Sequence, residues 1–376
     1  MSQTVRARGF WRLALERRVG GSINLSKKVS EGRKTRIQEV AQEGGVSIAT
    51  VSRVMNGSDS VTPELRERVI KAARKLNYNV DGKNKARIIA FILSNRAVFN
   101  PFHASVLMGA EAYCAAHDYG LLFLPLQYPS NISWQNLNLP QILQRRDIIG
   151  AVIVAGTNSQ NLLDLLSHKG IPFVVLGNNV VGEWDREAYS SVYFDDIEGA
   201  YGMTRYLQSL GHRRIWYVGN CRMPWAARRR EGYTLAMNEA GLEPLVNDMD
   251  SDNPEEVGYL TTKSILRSGE ALTAIFAEDD AAARGAYKAI QEANLRIPDD
   301  ISVAGFNDTS EAASLNPPLT SVRVFTEQAG KQMAEMVLKK IGRPEQEPEM
   351  ITIPTQLVKR ESCRMIVQAE IAPDKP

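Results

Sequence analysis

Ser47, Thr50, Ser52 and Arg53 fall close together in the stretch VSIATVSRVMNG, interleaved with Ile48 and Ala49 and followed by Asn56. Hydroxyls, a guanidinium and two small apolar side chains on one surface make a poor core. They can, however, approach base edges and phosphates without steric block. The chemistry this set supports is recognition of duplex DNA. Arg53 and Ser47 would read base edges, Asn56 would lie near the backbone, and Thr50, Ser52 and Lys34 would anchor phosphates, with Thr35 beside them in the DNA-binding set. Ile48 and Ala49 can touch a thymine methyl but offer no hydrogen bond.

Presenting those side chains requires a particular pair of helices. Thr35 caps a first helix through RIQEVAQE, in which Ile37, Val40 and Ala41 share one face. Gly44 and Gly45 end it, Gly45 at a turn that needs positive φ. Ser47 caps a second helix whose Val51 and Val54 point inward. Thr62 and Pro63 then open a third, ELRERVIKAARKLNY. The result is a helix-turn-helix head over residues 34–78, with the second helix in the major groove. A hairpin of helices that merely packs is the rival reading, and charge decides between them. Residues 1–87 carry 19 Lys and Arg against 8 Asp and Glu, a net +11, whereas the other 289 carry 26 against 35, a net −9. A basic segment on an acidic remainder suits a polyanionic partner.

No apolar run reaches the ~20 residues of a membrane helix, and the basic start lacks the apolar core of an export signal. Together they predict a cytoplasmic protein without membrane contact. Cys114, Cys221 and Cys363 are scattered, with no CxxC or metal-ligand spacing, so free thiols are expected and neither metal nor cofactor.

Beyond Arg87, short apolar runs alternate with amphipathic stretches: IIAFIL, GLLFLPL, IIGAVIVAG, IPFVVLGNN, VYFDD, IWYVGN, TAIFAEDD and ISVAGFND. This pattern predicts doubly wound parallel sheets covered on both faces, whose ligands bind at the carboxyl ends of strands. Those ends are polar, at Ser94, Asn95, Asn178, Asn179, Asp195, Asp196, Asn220, Glu278 to Asp280, Asn307 and Asp308. Phe102, Trp225 and Phe306 are candidates to stack on a ring. The carboxylate clusters suit hydrogen bonding to a hydroxylated ligand. With four His and no nucleophile, phosphate-loop or dinucleotide motif, an enzyme is not expected.

Taken together, VSIATVSRVMNG, TPELRERVIKAARKLNY, GIPFVV, SLGHRRI, EGYTLAM, TAIFAEDD, IPDDISVAGFND and NPPLTSVR resemble, in order, the lactose/galactose-repressor family of bacterial transcription regulators. The resemblance spans about 35–362. It implies a body like a periplasmic sugar-binding protein, in two lobes of about 88–190 with C-terminal crossover segments and about 191–321. It implies a homodimer on a palindromic operator and a small effector, a sugar or sugar derivative, and most plainly a repressor of carbohydrate-related genes. Within the site it implies Arg229, spaced before Gly232-Tyr233, as an effector ligand. Phe102 and His103 would lie at the cleft edge, with Asp195 after the fifth strand. It places Asp279 and Asn307 at two strand ends where the family carries the opposite pair. Asp280 and Asp308 would cap following helices.

Two departures stand out. The family's Pro-Asn and hinge leucine are absent after Tyr78, leaving a linker of residues 79–87 in which Lys83, Lys85 and Arg87 would meet phosphates. Signalling through the spacing of two heads is then expected, rather than through a leucine wedge. The first 33 residues lie outside the resemblance, either a basic arm or the product of a start upstream of the natural one. The competing readings are a periplasmic-type sugar-binding protein and a sugar- or nucleoside-active enzyme.

Overall fold

The computed structural model describes residues 37–55, 61–76, 87–96, 101–129, 131–342 and 347–366. The expectations on Lys34, Thr35, Asn56, Lys83 and Lys85, and on the extension 1–33, lie outside the described residues. The chain divides into two compact units, Met1–Lys85 and Ala86–Pro376.

In the first unit, residues 37–44 form α1, followed by α2 (Ile48–Met55) and α3 (Pro63–Lys75). Gly45 turns between α1 and α2 at φ 60°, where a side chain would be strained. Ser47 Oγ accepts the Thr50 backbone N–H at 3.0 Å, capping α2. Val40, Ala41, Val51 and Val54 bury against Val69, Ala72 and Ala73 of α3. The apolar stripe of α2 is therefore narrow, because small residues suffice to fill so small a core. Arg68 of α3 donates to the carbonyls of Gly44 at 2.9 Å and Gly45 at 3.2 Å and so braces the turn.

The second unit holds two lobes of the same winding. Lobe one contains β1 (Ile88–Ser94), β2 (Gly120–Leu126), β3 (Ile149–Gly156), β5 (Phe173–Leu176) and β7 (Ser191–Phe194). Around them lie α4 (Pro101–Ala116), α5 (Gln141–Gln144) and α6 (Gln160–His168), with a short ladder of β4 (Asn158–Ser159) and β6 (Val180–Val181). Lobe two contains α7 (Asp196–Ser209), β8 (Ile215–Gly219), α8 (Pro224–Glu239), β9 (Leu245–Asp248), α9 (Pro254–Ser268), β10 (Ala274–Ala277), α10 (Asp280–Glu292), β11 (Ser302–Asn307) and β12 (Thr320–Arg323). Then α11 (Thr326–Gly342) and β13 (Met350–Ile353) return to lobe one, and β14 (Gln356–Val358) to lobe two.

The sheet orders are β13-β7-β5-β3-β1-β2 and β14-β12-β11-β10-β8-β9. The ladders run parallel except for β14 on β12. Winding reverses beside β1 in one lobe and β8 in the other, which puts the ligand crevice at the carboxyl ends of those strands. The lobe boundary expected at Ser190/Ser191 moves to Phe194/Asp195. The apolar strand Ser191–Phe194 pairs with β5 and β13 in lobe one, and the chain crosses only afterwards. Among the described residues no helix is long and apolar enough to cross a membrane. The three cysteines are free thiols.

One contact in this fold positions the site directly. A Cβ added to Gly232 of α8 would lie 2.1 Å from the Ile197 carbonyl of α7. Only glycine lets α8 rest on the first turn of α7, where Asp196 and the following residues begin. Gly232→Ala should therefore destabilise the body by about 1–3 kcal/mol, as overpacking does. Urea unfolding measures this, and an unchanged midpoint would refute the close approach.

Candidate functional site

The cleft between the lobes is lined by Arg96, Phe102, His103, Asn178, Asn179, Phe194, Trp225, Arg229, Pro254, Asp279 and Asn307 and has a volume of about 60 Å³. That is small beside the roughly 300–1,000 Å³ of ordinary ligand sites, but an adjoining hollow of about 220 Å³ shares Phe102 and Asn307 with it. A larger cavity of about 260 Å³, beside Trp134 and His168, lies away from the strand carboxyl ends. Size alone does not pick the site.

Helix starts supply the walls. Phe102, Trp225 and Pro254 stand in the first turns of α4, α8 and α9, each opened by a proline at the first helical position, where its missing N–H costs nothing. Asp279 caps α10, its carboxylate accepting the Ala282 N–H at 2.8 Å. His103 is buried, lies 3.5 Å from Asn179 Nδ2, and is neutral because burial pushes its pKa down to about 3. The rings of Phe102 and Phe194 meet edge to face, with centroids 5.8 Å apart.

Arg229 is in the cleft wall as expected, but its guanidinium is already engaged. It donates to Asp196 Oδ1 at 3.0 Å, the Glu278 carbonyl at 2.7 Å and Asn307 Oδ1 at 3.0 Å. Its carbon lies 3.9 Å from the centre of the Phe306 ring. Phe306 is fully buried core and does not line the cleft, so the ring-stacking role expected for it is corrected to that of a platform for Arg229. Arg228 also pairs with Asp196 at 3.1 Å and donates to the Asn178 carbonyl at 2.6 Å, while Arg230 is exposed.

Four further assignments change. Asp195 is not in the cleft lining. It caps α7 by accepting the Glu198 N–H at 3.1 Å, and the next residue, Asp196, points inward instead. Asn178 does line the cleft, but its amide is consumed by the Phe194 backbone and Asp196. Asp280 is not a helix cap, since Asp279 occupies that position. Asp280 instead accepts from Ser321 Oγ at 2.5 Å and Thr309 N at 2.6 Å, tying neighbouring strand ends. Asp308 caps nothing and pairs with Arg323 and Arg360, both at 2.7 Å.

Arg96 went unread in the sequence, while Asn179 and Asp196 were legible only as polar strand ends and Arg228 only as the alternative to Arg229. Asn179 and Asp196 each adjoin a residue that was chosen, and Arg96 lies one residue past the Ser94-Asn95 strand end. The signal available was the alternation of direction along a strand end. At this strand end Asp195 caps α7, and its neighbour Asp196 turns toward Arg228 and Arg229.

Burial raises the pKa of Glu278 to about 8, with Asp279 nearby adding to it, and that of Asp280 to about 7. Groups whose folded pKa lies above the unfolded value stabilise most at low pH, and that contribution is lost as pH rises through the folded value. His103 and His212, depressed to about 3 and about 4, act oppositely, but only below their unfolded value near 6.5.

These two lobes, repeating one winding around a crevice at the strand carboxyl ends, define a periplasmic-binding-protein-like body accompanied by a helix-turn-helix head. The sequence profile for a periplasmic binding protein-like domain matches residues 204–363. That for bacterial regulatory proteins of the lacI family matches 36–81. A ribose operon repressor of Haemophilus influenzae is 31% identical over 87% of this chain and 98% of its own length. The HTH-type transcriptional regulator CelR of Thermobifida fusca is 30% identical over 88% and 98%. Among solved structures, a CelR–cellobiose complex superposes with a TM-score of 0.65 at 28% identity, covering 87% of this chain and 99% of that one. A lac repressor dimer on operator superposes at 0.63, with 23% identity over 86% and 98%, a likeness of fold. The chain belongs to the lacI family of bacterial regulatory proteins. It is a ligand-responsive DNA-binding regulator of transcription, in a family of regulators and not of enzymes.

Two measurements check the electrostatic reading. Stability in denaturant should fall between about pH 6.5 and about 8, where Glu278 and Asp280 dominate, and Asp280→Asn should flatten that slope. A rise over this window contradicts it. Arg229→Ala should cost about 3 kcal/mol, since it strips one partner from a buried carboxylate. Loss of ligand response in a variant of unchanged stability would instead make Arg229 a free ligand group.

Proposed function

We propose that this chain is a homodimeric repressor that binds a palindromic operator through α2 and is released or tightened by a small hydroxylated effector in the cleft. On this reading residues 34–78 are the DNA-binding head, 79–87 a short linker, 88–376 the effector and dimerisation body, and 1–33 a basic extension. Its place of action is the cytoplasm, where the operator lies. The observation that carries the DNA-facing surface is the exposure of α2. Ile48 is 50% exposed and Ser47, Ala49 and Arg53 are also exposed, while Val51 and Val54 are buried. An exposed aliphatic side chain at the start of a capped helix, beside hydroxyls and an arginine, suits a thymine methyl in a major groove. Thr50 and Ser52, half-buried at the edge of this surface, would take phosphates, with Thr35, Asn56, Lys83, Lys85 and the exposed Arg87 assigned to the backbone.

The effector assignment draws on relatives known by ribose and cellobiose and on the aromatic and amide lining of the cleft, Phe102, Trp225, Asn179, Asp279 and Asn307. The spacing of the two heads, in place of a leucine wedge, would carry the signal.

The test is selection of bound duplexes from a random library by the full-length chain. A two-fold symmetric site should emerge, and its affinity should fall steeply with salt. Arg53→Ala should erode the preference for that site by about 1–3 kcal/mol, the worth of one good base contact. If no duplex is enriched over competitor, or Arg53→Ala leaves the preference intact, this assignment of α2 fails.

A further inference from the structure

Arg96 is the one cleft-lining cation, among the described residues, without an ion-pair partner. Arg228 and Arg229 share Asp196. Arg96 extends from just beyond β1 in lobe one to lie 4.7 Å from the centre of the Trp225 ring in lobe two. Its Nε is buried with no hydrogen-bond partner. Burial works against its charge. Asp279 and Asp252 support the charge without being in ion-pair contact with it. A desolvated guanidinium held on an aromatic face, with its nitrogen fork unfilled, is poised for a planar anion that can accept two parallel N–H bonds.

The other charges around the cleft agree. One carboxylate, Asp196, is shared by two arginines, and the Glu278 carboxyl, with a pKa near 8, is largely protonated at neutral pH. The first turns of α4, α8 and α9 and the cap of α10 converge on the same space, and helix starts favour negative charge. Asp279 also lines the cleft, however. A dianion such as a phosphate ester would meet it with twice the repulsion of a monoanion.

Resting on the cleft being the effector site, we propose that the effector is a hydroxylated monocarboxylic acid, a sugar acid rather than a neutral sugar, with its carboxylate on Arg96. The hydroxyls then fall to the groups with hydrogen-bonding capacity left, the Asn307 Nδ2 amide, the Asp279 carboxylate and Asn179, with Trp225 and Phe102 against the carbon skeleton. Binding must separate Arg96 from Trp225, because a cavity of about 60 Å³ holds only a few waters.

The test uses matched pairs titrated calorimetrically into the full-length chain: galacturonate with galactose, glucuronate with glucose, and gluconate with glucitol. Glucose 6-phosphate serves as a dianionic arm. At least one acid should bind about tenfold or more tightly than its neutral partner, the worth of a charge-assisted pair. Arg96→Gln should abolish that advantage, and Arg96→Lys, which keeps charge but loses the fork, should retain only part of it. The comparison of acid with neutral partner in the unaltered chain stands even if a variant folds poorly. A neutral sugar or the phosphate binding as tightly as the acids, an advantage that survives Arg96→Gln, or no binding by any acid overturns the proposal. Operator affinity measured in the same samples separates the two readings. If a neutral sugar changes it, the regulator reading stands while the sugar-acid proposal falls. If cleft ligands bind and none changes it, the effector role of the cleft falls.

Discussion

The body turns on the buried Asp196 carboxylate. It accepts from Arg228 Nε at 3.2 Å, Arg228 Nη2 at 3.1 Å, Arg229 Nε at 3.0 Å and Asn178 Nδ2 at 2.6 Å, and its side chain has no exposure to solvent. An anion in that position is tolerable only because donors surround it. Those donors come from both sides of the cleft. Asn178 belongs to lobe one, and Arg228 and Arg229 belong to α8 of lobe two. Asp196 itself stands where the chain first crosses between them. Arg228 closes the circuit by donating back to the Asn178 carbonyl. Removing any one member leaves charge or polar groups unpaired in a dry place, so the arrangement is shared or lost as a unit.

That constraint decides what the cleft can offer a ligand. Arg229, with its three guanidinium nitrogens on Asp196, the Glu278 carbonyl and Asn307, is a beam more than a hand. What remains adaptable is the rim: Arg96 on Trp225, Phe102 beside His103, and the free edges of Asn179, Asp279 and Asn307. The rim also spans both lobes. An effector shifts the relation between lobes only by as much as it binds one arrangement better than another. Groups that touch across the cleft when it is closed are the ones through which such a difference arises.

Much of this was legible in the sequence, and unevenly so. The head was readable nearly residue by residue. Capping by Ser47, the positive φ of Gly45 and the inward face of Val51 and Val54 are local facts of a turn and two short helices. Long-range bracing was not: nothing in the spacing of Arg68 announced that it would hold the Gly44 and Gly45 carbonyls. The alternating strands and helices predicted both sheets, and the polar strand ends predicted the crevice. Which of two adjacent acids turns inward was misread at Asp195, whereas Asp279 lines the cleft as expected and also takes the capping role expected of Asp280. Asp195 and Asp279 are caps, and Asp196 and Asp280 are the buried braces. Residue type cannot separate such neighbours, because the choice is made by the helix start against the sheet.

Phe306 and Arg96 show the same limit from opposite directions. An aromatic at a strand end has the right chemistry for a sugar platform, yet Phe306 is fully buried and its face is covered by Arg229. Arg96 follows a strand end and reads like a solvated turn residue, yet its guanidinium is drawn across the cleft onto Trp225. The difference lies in competition for aromatic faces. Arg229 reaches Phe306 from within its own lobe and is locked there by three acceptors. Trp225, in the first turn of α8, takes its cation from the opposite lobe, in Arg96. A cation held by a ring face, with carboxylates only at a distance, is held weakly beside one in direct contact with a carboxylate. Of the contacts that close the cleft, the one between Arg96 and Trp225 is therefore the cheapest to exchange for a ligand, and the Asp196 network the most expensive.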